Sequence, residues 1–287
     1  MNYELRITNY FVLLQKITTK MLKFISFGSG SSGNCYYLFT ETDGLIIDIG
    51  VGIRTLKKQF KDYGLSFSSI HYVLITHDHA DHIKSVGSIS HELMLPVHAT
   101  AKVHTGIERN YCVQRKLKPE MKCRIVAGEP LELGDFRVTP FSVPHDATDN
   151  VGYQIEAEGI TFCIITDAGS ITEEIGTYIS KADYLVIEAN HDVEMLKHGP
   201  YPMHLKERIM SSTGHLSNKD CAKALAENMT ERLKHVWLCH LSEENNHPEL
   251  ARKTVEQELR SYGIVAGKDF ELEVLKRNTP TGVFELR

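Results

Sequence analysis

The chain has 287 residues, 42% of them hydrophobic and 24% charged, which is enough apolar material to bury a full core and is not the profile of a disordered chain. A formal net charge of −5 excludes a global positive field for gripping nucleic acid, but not a local basic patch or bound metal ions supplying the charge. No apolar run approaches the ~20 residues of a membrane helix. The cysteines Cys35, Cys112, Cys123, Cys163, Cys221 and Cys239 lack CxxC spacing, so free thiols in a cytoplasmic protein are expected.

Residues 1–20 read as an extension ahead of the first clear strand, either because Met21 is the native start or because 1–20 form a loosely held arm. Residues 21–287 read as one domain. β-rich runs follow at 22–27, 35–40, 44–49 and 70–76, with a tight-turn signal at Thr42-Asp43-Gly44. Helical spacing at 51–62 keeps Val51, Ile53, Leu56 and Phe60 on one face, and a further helix is expected over 81–90. A basic loop at 111–124 precedes strands at 135–143, 151–158 and 160–166. The chain then alternates: helix 172–180, strand 183–189, helix 217–228, strand 234–240, helix 248–261, and closing strands near 270–275 and 282–286. A β-rich half followed by a β/α half implies an α/β fold of two packed sheets with helices outside.

Gly28-Ser-Gly30-Ser-Ser-Gly33 fits the dinucleotide pattern GxGxxG, with Asp48 about 20 residues on. That site needs a helix straight after the glycines, and Asn34-Cys-Tyr-Tyr-Leu-Phe39 reads as a strand. A hairpin turn whose amides could approach an anion is the better reading.

The decisive stretch is His77-Asp-His79-Ala-Asp81-His82, entered from the apolar run Tyr72-Val-Leu-Ile75. In an extended turn residues i and i+2 point the same way, so His77 and His79 can hold one ion, while Asp81 and His82 serve a neighbour. Imidazole with carboxylate suits Zn or Mn, with Fe as a further option. His145, Asp167 and His240 each close a later apolar strand. A lone histidine there is more often a polar cap, but three such residues after this motif reverse that weighting. Seven ligands suit two divalent ions: His77, His79 and His145 around one, Asp81, His82 and His240 around the other, and Asp167 between them. Paired ions clamp both the attacking and the leaving oxygen of a phosphoryl transfer.

This pattern resembles the metallo-β-lactamase superfamily, from about residue 22 to the end. The resemblance implies an αββα sandwich, a four-layer α+β arrangement with the metals at one edge, and an orienting role for Asp48. Phe27–Asn34, Pro144-His-Asp-Ala147, Glu188-Ala-Asn-His-Asp192, Gly214-His-Leu-Ser-Asn218 and His240-Leu-Ser-Glu-Glu-Asn-Asn246 are similar to the YycJ/WalJ-type branch. Those proteins are regarded as metal-dependent nucleases, with 5′-to-3′ exonuclease action on DNA proposed. The later motifs are also similar to tRNA 3′-processing endonucleases (tRNase Z), which would make Glu188 and His215 a pair near the scissile phosphate.

His215 is the side chain best suited to protonate a leaving oxygen near neutral pH, with Glu188 raising its pKa and fixing its orientation; Asp81 completes the catalytic set. The alternative is that Gly214-His215 merely caps a helix. Ser242, Asn245, Asn246 and Asn218 are candidate phosphate donors. Too few residues lie between Asp167 and His240 for a large inserted clamping domain. Grip is therefore expected from Arg54, Lys57, Lys58 and Lys61, or from Arg115, Lys116, Lys118, Lys122 and Arg124, which otherwise form a solvated face. The expectation is a nuclease acting on DNA rather than RNA, with room for a homodimer. A small-molecule metallo-hydrolase of a cyclic phosphodiester, thioester or lactone is the alternative, and a non-catalytic regulator the third reading.

Overall fold

The computed structural model describes residues 21–287, so the expected extension over 1–20 lies outside the described residues. The first sheet opens as an antiparallel meander of β1 (Leu22–Gly28), β2 (Cys35–Phe39) and β3 (Gly44–Ile47). It continues in parallel through β4 (Tyr72–Leu74), β5 (Val97–Ala99) and β6 (Lys122–Arg124). Parallel neighbours need crossovers. These are α1 (Ile53–Asp62) before β4, then α2 (Ala80–Ile83) with α3 (Val86–Leu93), and then α4 (Ala101–Arg109).

The second sheet repeats the plan. Antiparallel β7 (Leu131–Leu133), β8 (Phe136–Ser142), β9 (Val151–Ala157) and β10 (Ile160–Ile165) lead into parallel β11 (Tyr184–Glu188), β12 (His235–Cys239) and β13 (Glu271–Val274). Its crossovers are α5 (Glu173–Lys181), α6 (Val193–His198), α7 (Met203–Ile209), α8 (Asn218–Asn228) and α9 (Pro248–Ser261). The last strand, β14 (Phe284–Leu286), returns to pair with β1. Local chemistry sets the helix starts: Thr172 accepts from the Ile175 amide and Ser217 from the Asp220 amide, each satisfying a first-turn donor.

Three apolar cores separate four layers, as expected for an αββα sandwich. Phe24, Tyr36, Leu38, Ile47, Tyr153, Phe162 and Trp237 fill the space between the sheets. Leu56, Phe60, Ile89 and Val103 seat helices on the first sheet, and Ile175, Leu225 and Val255 seat helices on the second. Trp237 packs 4.8 Å from Phe24 between ring centroids.

Two expectations are revised. The helix anticipated over 81–90 is broken between α2 and α3, because the Ser85 amide bonds the Ile49 carbonyl (2.9 Å) and its hydroxyl bonds that of Val51 (2.8 Å). The stretch 91–110, to which the pattern assigned nothing, contains β5 and α4; a strand of three residues is too short to show alternation.

Candidate metal centre

All seven predicted ligands come together, and the reason is topological. Asp48 follows β3, His77 follows β4, His145 follows β8, Asp167 follows β10 and His240 follows β12. They gather where the carboxyl ends of strands from both sheets meet, the usual place for a ligand in layered α/β folds. Asp48, Asp167 and His240 adopt left-handed backbone angles (φ 58°, 53° and 52°). A non-glycine residue there costs on the order of 1–2 kcal/mol, and such strain concentrates at functional sites.

His77, His79 and His145 form one group whose donor atoms lie within 4.8 Å of one another; Asp81, His82 and His240 form a second. Asp167 stands between them, with Oδ1 3.7 Å from His145 Nε2 and Oδ2 3.2 Å from His82 Nε2. Close packing makes this convergence tight. A Cβ on Gly50 would fall 1.6 Å from the Asp81 carbonyl oxygen, so only glycine lets the two segments meet.

Several imidazoles are oriented through the nitrogen that faces away from the cluster. His82 Nδ1 lies 2.7 Å from Asp48 Oδ2, His145 Nδ1 3.0 Å from the Gly214 carbonyl, and His240 Nδ1 2.9 Å from Glu188 Oε1. In each case Nδ1–H donates, which leaves the Nε2 lone pair for coordination. Asp48 is itself fixed by the Thr76 amide (2.9 Å) and hydroxyl (2.8 Å). Asn34, Asn150 and Asn190 brace the ligands further. Asn34 Nδ2 reaches Asp81 Oδ2 (3.3 Å), and the other two donate to the carbonyls of Asp167 and His240.

The protein chemistry fits a metal. His77 Nε2 is fully buried with no hydrogen-bond partner among the described residues, although a buried polar atom without a partner normally costs free energy. Burial, with His82 alongside, holds the His77 pKa well below its ordinary value, and burial also lowers that of His145, so both present the neutral imidazole that coordination requires. Burial would lower His82 too, but Asp167, Asp48 and Asp81 outweigh it and raise its pKa to about 10. The second group therefore sits in a field that favours positive charge, which a cation satisfies.

Glu188 is fully buried and links this centre to His215. Its Oε2 accepts from the amides of Ala168 and Leu216 (3.0 Å each). Its Oε1 accepts from Nδ1 of His215 (2.8 Å) and of His240 (2.9 Å). Burial works to lower the His215 pKa, and the charge and hydrogen bond of Glu188, with Asp167, carry it above the ordinary value. The ring stays 17% exposed, enough to reach a substrate.

Three of the four candidate phosphate donors are placed differently from expectation. Asn218, Asn245 and Asn246 are buried, and Asn246 spends its amide on Asn218 and on the carbonyls of Ala189 and Asn190. They brace the end of β11 and offer no donor to a surface ligand. Ser242 is half-buried and its hydroxyl accepts from the Asn245 amide. Sequence reading also passed over Asn34, although it closes the glycine-rich run, and passed over the Arg208–Asp146 ion pair beside His145.

Comparison with known proteins agrees with this geometry. Residues 45–240 match the model of the beta-lactamase superfamily domain. The chain is 35% identical to the exodeoxyribonuclease YycJ of Bacillus anthracis over 262 residues, covering 91% of this chain and 98% of that protein. It is 33% identical to the exodeoxyribonuclease WalJ of Streptococcus pneumoniae over 264 residues, covering 92% and 98%. A ribonuclease Z of Gemmatimonas aurantiaca shares 28% identity over 131 residues, 42% of this chain and 40% of that protein. Among solved structures, the metallo-beta-lactamase fold protein YhfI of Bacillus subtilis superposes with TM-score 0.66 at 18% identity, covering 93% of this chain and all of that one.

Proposed function

The chain belongs to the metallo-β-lactamase superfamily, in its YycJ/WalJ branch, and from that premise we propose that it is a two-ion exonuclease acting on DNA from the 5′ end. The observation that carries the reading is the Glu188–His215 pair, joined at 2.8 Å and set against the ligand cluster. Near full-length similarity to proteins named exodeoxyribonucleases supports the substrate class.

His77, His79 and His145 would hold one divalent ion and Asp81, His82 and His240 the other, with Asp167 shared; zinc or manganese suits this mixed nitrogen and oxygen set. Ions bound there supply Lewis acidity to the phosphodiester and acidify water for attack. The protein's own residues do the rest. Glu188 keeps the His215 Nδ1 proton engaged, so the opposite nitrogen faces the substrate. From the imidazolium, Nε2–H passes its proton to the leaving oxygen as the P–O bond breaks, and the ring becomes neutral. Glu188 then holds the neutral tautomer in place for the next cycle.

The test is incubation of purified protein and Mn²⁺ or Zn²⁺ with end-labelled DNA and RNA, single- and double-stranded. Mononucleotides released from the 5′ end of DNA, and lost in both His79→Ala and His215→Ala, establish the reading. Hydrolysis confined to a small chromogenic phosphodiester replaces it with the small-molecule hydrolase. No hydrolysis by a metal-loaded protein would leave the regulator.

A further inference from the structure

Four of the nine cations nominated by sequence are engaged elsewhere. Lys57 pairs with Glu92, Lys58 with Asp62 at 2.6 Å, and Lys122 with Glu108 at 2.7 Å, while Lys116 donates to the Asn110 carbonyl at 2.7 Å. Two of the nominated cations, Arg54 and Arg115, together with Lys84, behave differently. Arg54 in α1, Lys84 between α2 and α3, and Arg115 in the loop after α4 line one cavity of about 380 Å³. Among the described residues the three cationic side chains form no hydrogen bond or ion pair, and no carboxylate lines the cavity with them.

The cavity is built into the fold. Its loop wall lies against α3 so closely that a Cβ on Gly87 would fall 1.6 Å from the Arg115 carbonyl oxygen. The Lys116 carbonyl accepts from His91 Nε2 at 2.9 Å, and Val113 and Leu117 are buried beneath. The same loop is tied to the metal-binding turn, because Asn110 Nδ2 donates to the Asp78 carbonyl at 2.8 Å. The other wall is equally close in the chain: Lys84 is the second residue after His82, and Ser85 bonds the segment leading from Asp48 into α1. Both helix starts on the cavity, at Gly52 and Ser85, lack a side-chain cap, which adds unsatisfied amides to the positive wall.

We propose that this cavity binds a phosphate group of the DNA strand other than the one being hydrolysed, through Arg54, Lys84 and Arg115, and so places the scissile bond in the metal centre. The inference rests on the nuclease reading for its ligand but not for its test, which reads binding. Tetrahedral phosphate is the group that three unpaired cations and free amides recognise together. A terminal 5′-phosphate and an internal diester share that chemistry.

The experiment measures anisotropy of labelled single-stranded oligonucleotides, 5′-phosphorylated and 5′-hydroxyl, on the metal-loaded wild type and on Arg54→Ala/Lys84→Ala/Arg115→Ala. Metal content and melting temperature verify the fold of the variant. We expect Kd to rise at least 10-fold, and the slope of log K against log salt to fall by about 0.7 for one lost contact to a single strand. Loss confined to the 5′-phosphorylated strand assigns the terminal phosphate, and equal loss on both strands assigns an internal one. A variant that misfolds is replaced by Arg54→Gln/Arg115→Gln, judged by the same Kd and slope. Unchanged Kd and slope overturn the proposal, as does a wild type that binds neither strand. Binding that depends on the three cations without any hydrolysis of DNA would keep the pocket and remove the nuclease.

Discussion

Glu188→Gln tests how one buried carboxylate serves two histidines. The glutamine carbonyl is the only atom able to accept from the Ala168 and Leu216 amides, so it takes the place of Oε2. Its NH₂ then faces Nδ1 of His215 and of His240, which donated to Oε1 at 2.8 and 2.9 Å. Either both bonds are lost or both rings move their proton to Nε2. In His240 that is the nitrogen 3.3 Å from Asp81 Oδ2, on the ligand side of the ring, and a protonated nitrogen cannot coordinate. Metal affinity is expected to fall about 10–100-fold, the usual effect of removing a group that orients a ligand. Turnover at saturating metal should fall about 10²–10⁴-fold as the proton donor loses its orientation, and stability should drop by about 1–3 kcal/mol for the unmatched donor. The measurements are metal content after dialysis at fixed free ion, kcat on DNA, and chemical denaturation. A Gln variant with wild-type metal affinity and kcat would refute the tautomer argument. Glu188→Ala is less informative, since orphaning two buried amides costs about 2–6 kcal/mol of a total stability near 5–15 kcal/mol.

Four further outcomes are expected. His215→Ala should retain its metals, whereas His79→Ala loses metal and activity together; His215→Ala should slow kcat about 10²–10⁴-fold. Because the His215 pKa is raised, its protonated form persists above 6.5, so the limb of the kcat–pH profile due to this residue falls on the alkaline side; its persistence in His215→Ala would reassign the acid. Asp48→Asn keeps a residue that tolerates φ 58° but turns an amide donor toward His82 Nδ1, so isothermal titration should show metal binding weakened about 10–100-fold, and chemical denaturation a loss of about 1–3 kcal/mol for the unmatched donor. Tyr111, 92% exposed beside the loop cavity, offers a face for base stacking; Tyr111→Ala should weaken single-stranded DNA about 5–150-fold in an anisotropy titration and leave metal content unchanged.

The cluster of candidate ligands was legible because its chemistry is local. Four donors fall within six residues of the 77–82 motif, and the others terminate apolar runs whose strand character is plain. Two packed sheets with helices outside followed from the alternation of strands and helices, and the αββα sandwich from the family resemblance. What sequence could not show was how side chains distant in the chain divide their hydrogen bonds. Asn218 and Asn246, 28 residues apart, form a closed pair, so polar residues in a suggestive motif turned out to brace a strand end. The break after α2 was invisible for a related reason, since Ser85 is claimed by carbonyls at positions 49 and 51. Lys84 escaped notice among richer basic runs, yet it is Lys57, Lys58 and Lys122 that are spent on carboxylates.

The left-handed backbone at Asp48, Asp167 and His240 bears on evolution of this protein for endurance and for work. Glycine at any of the three would release backbone strain of about 1–2 kcal/mol, but it would delete a group on which the centre depends and orphan buried partners such as the Thr76 amide and Glu188. Relief and cost there are of similar size, so a library selected only for survival at high temperature should find little at these positions and gain its stability in the three cores, which leaves endurance and work compatible.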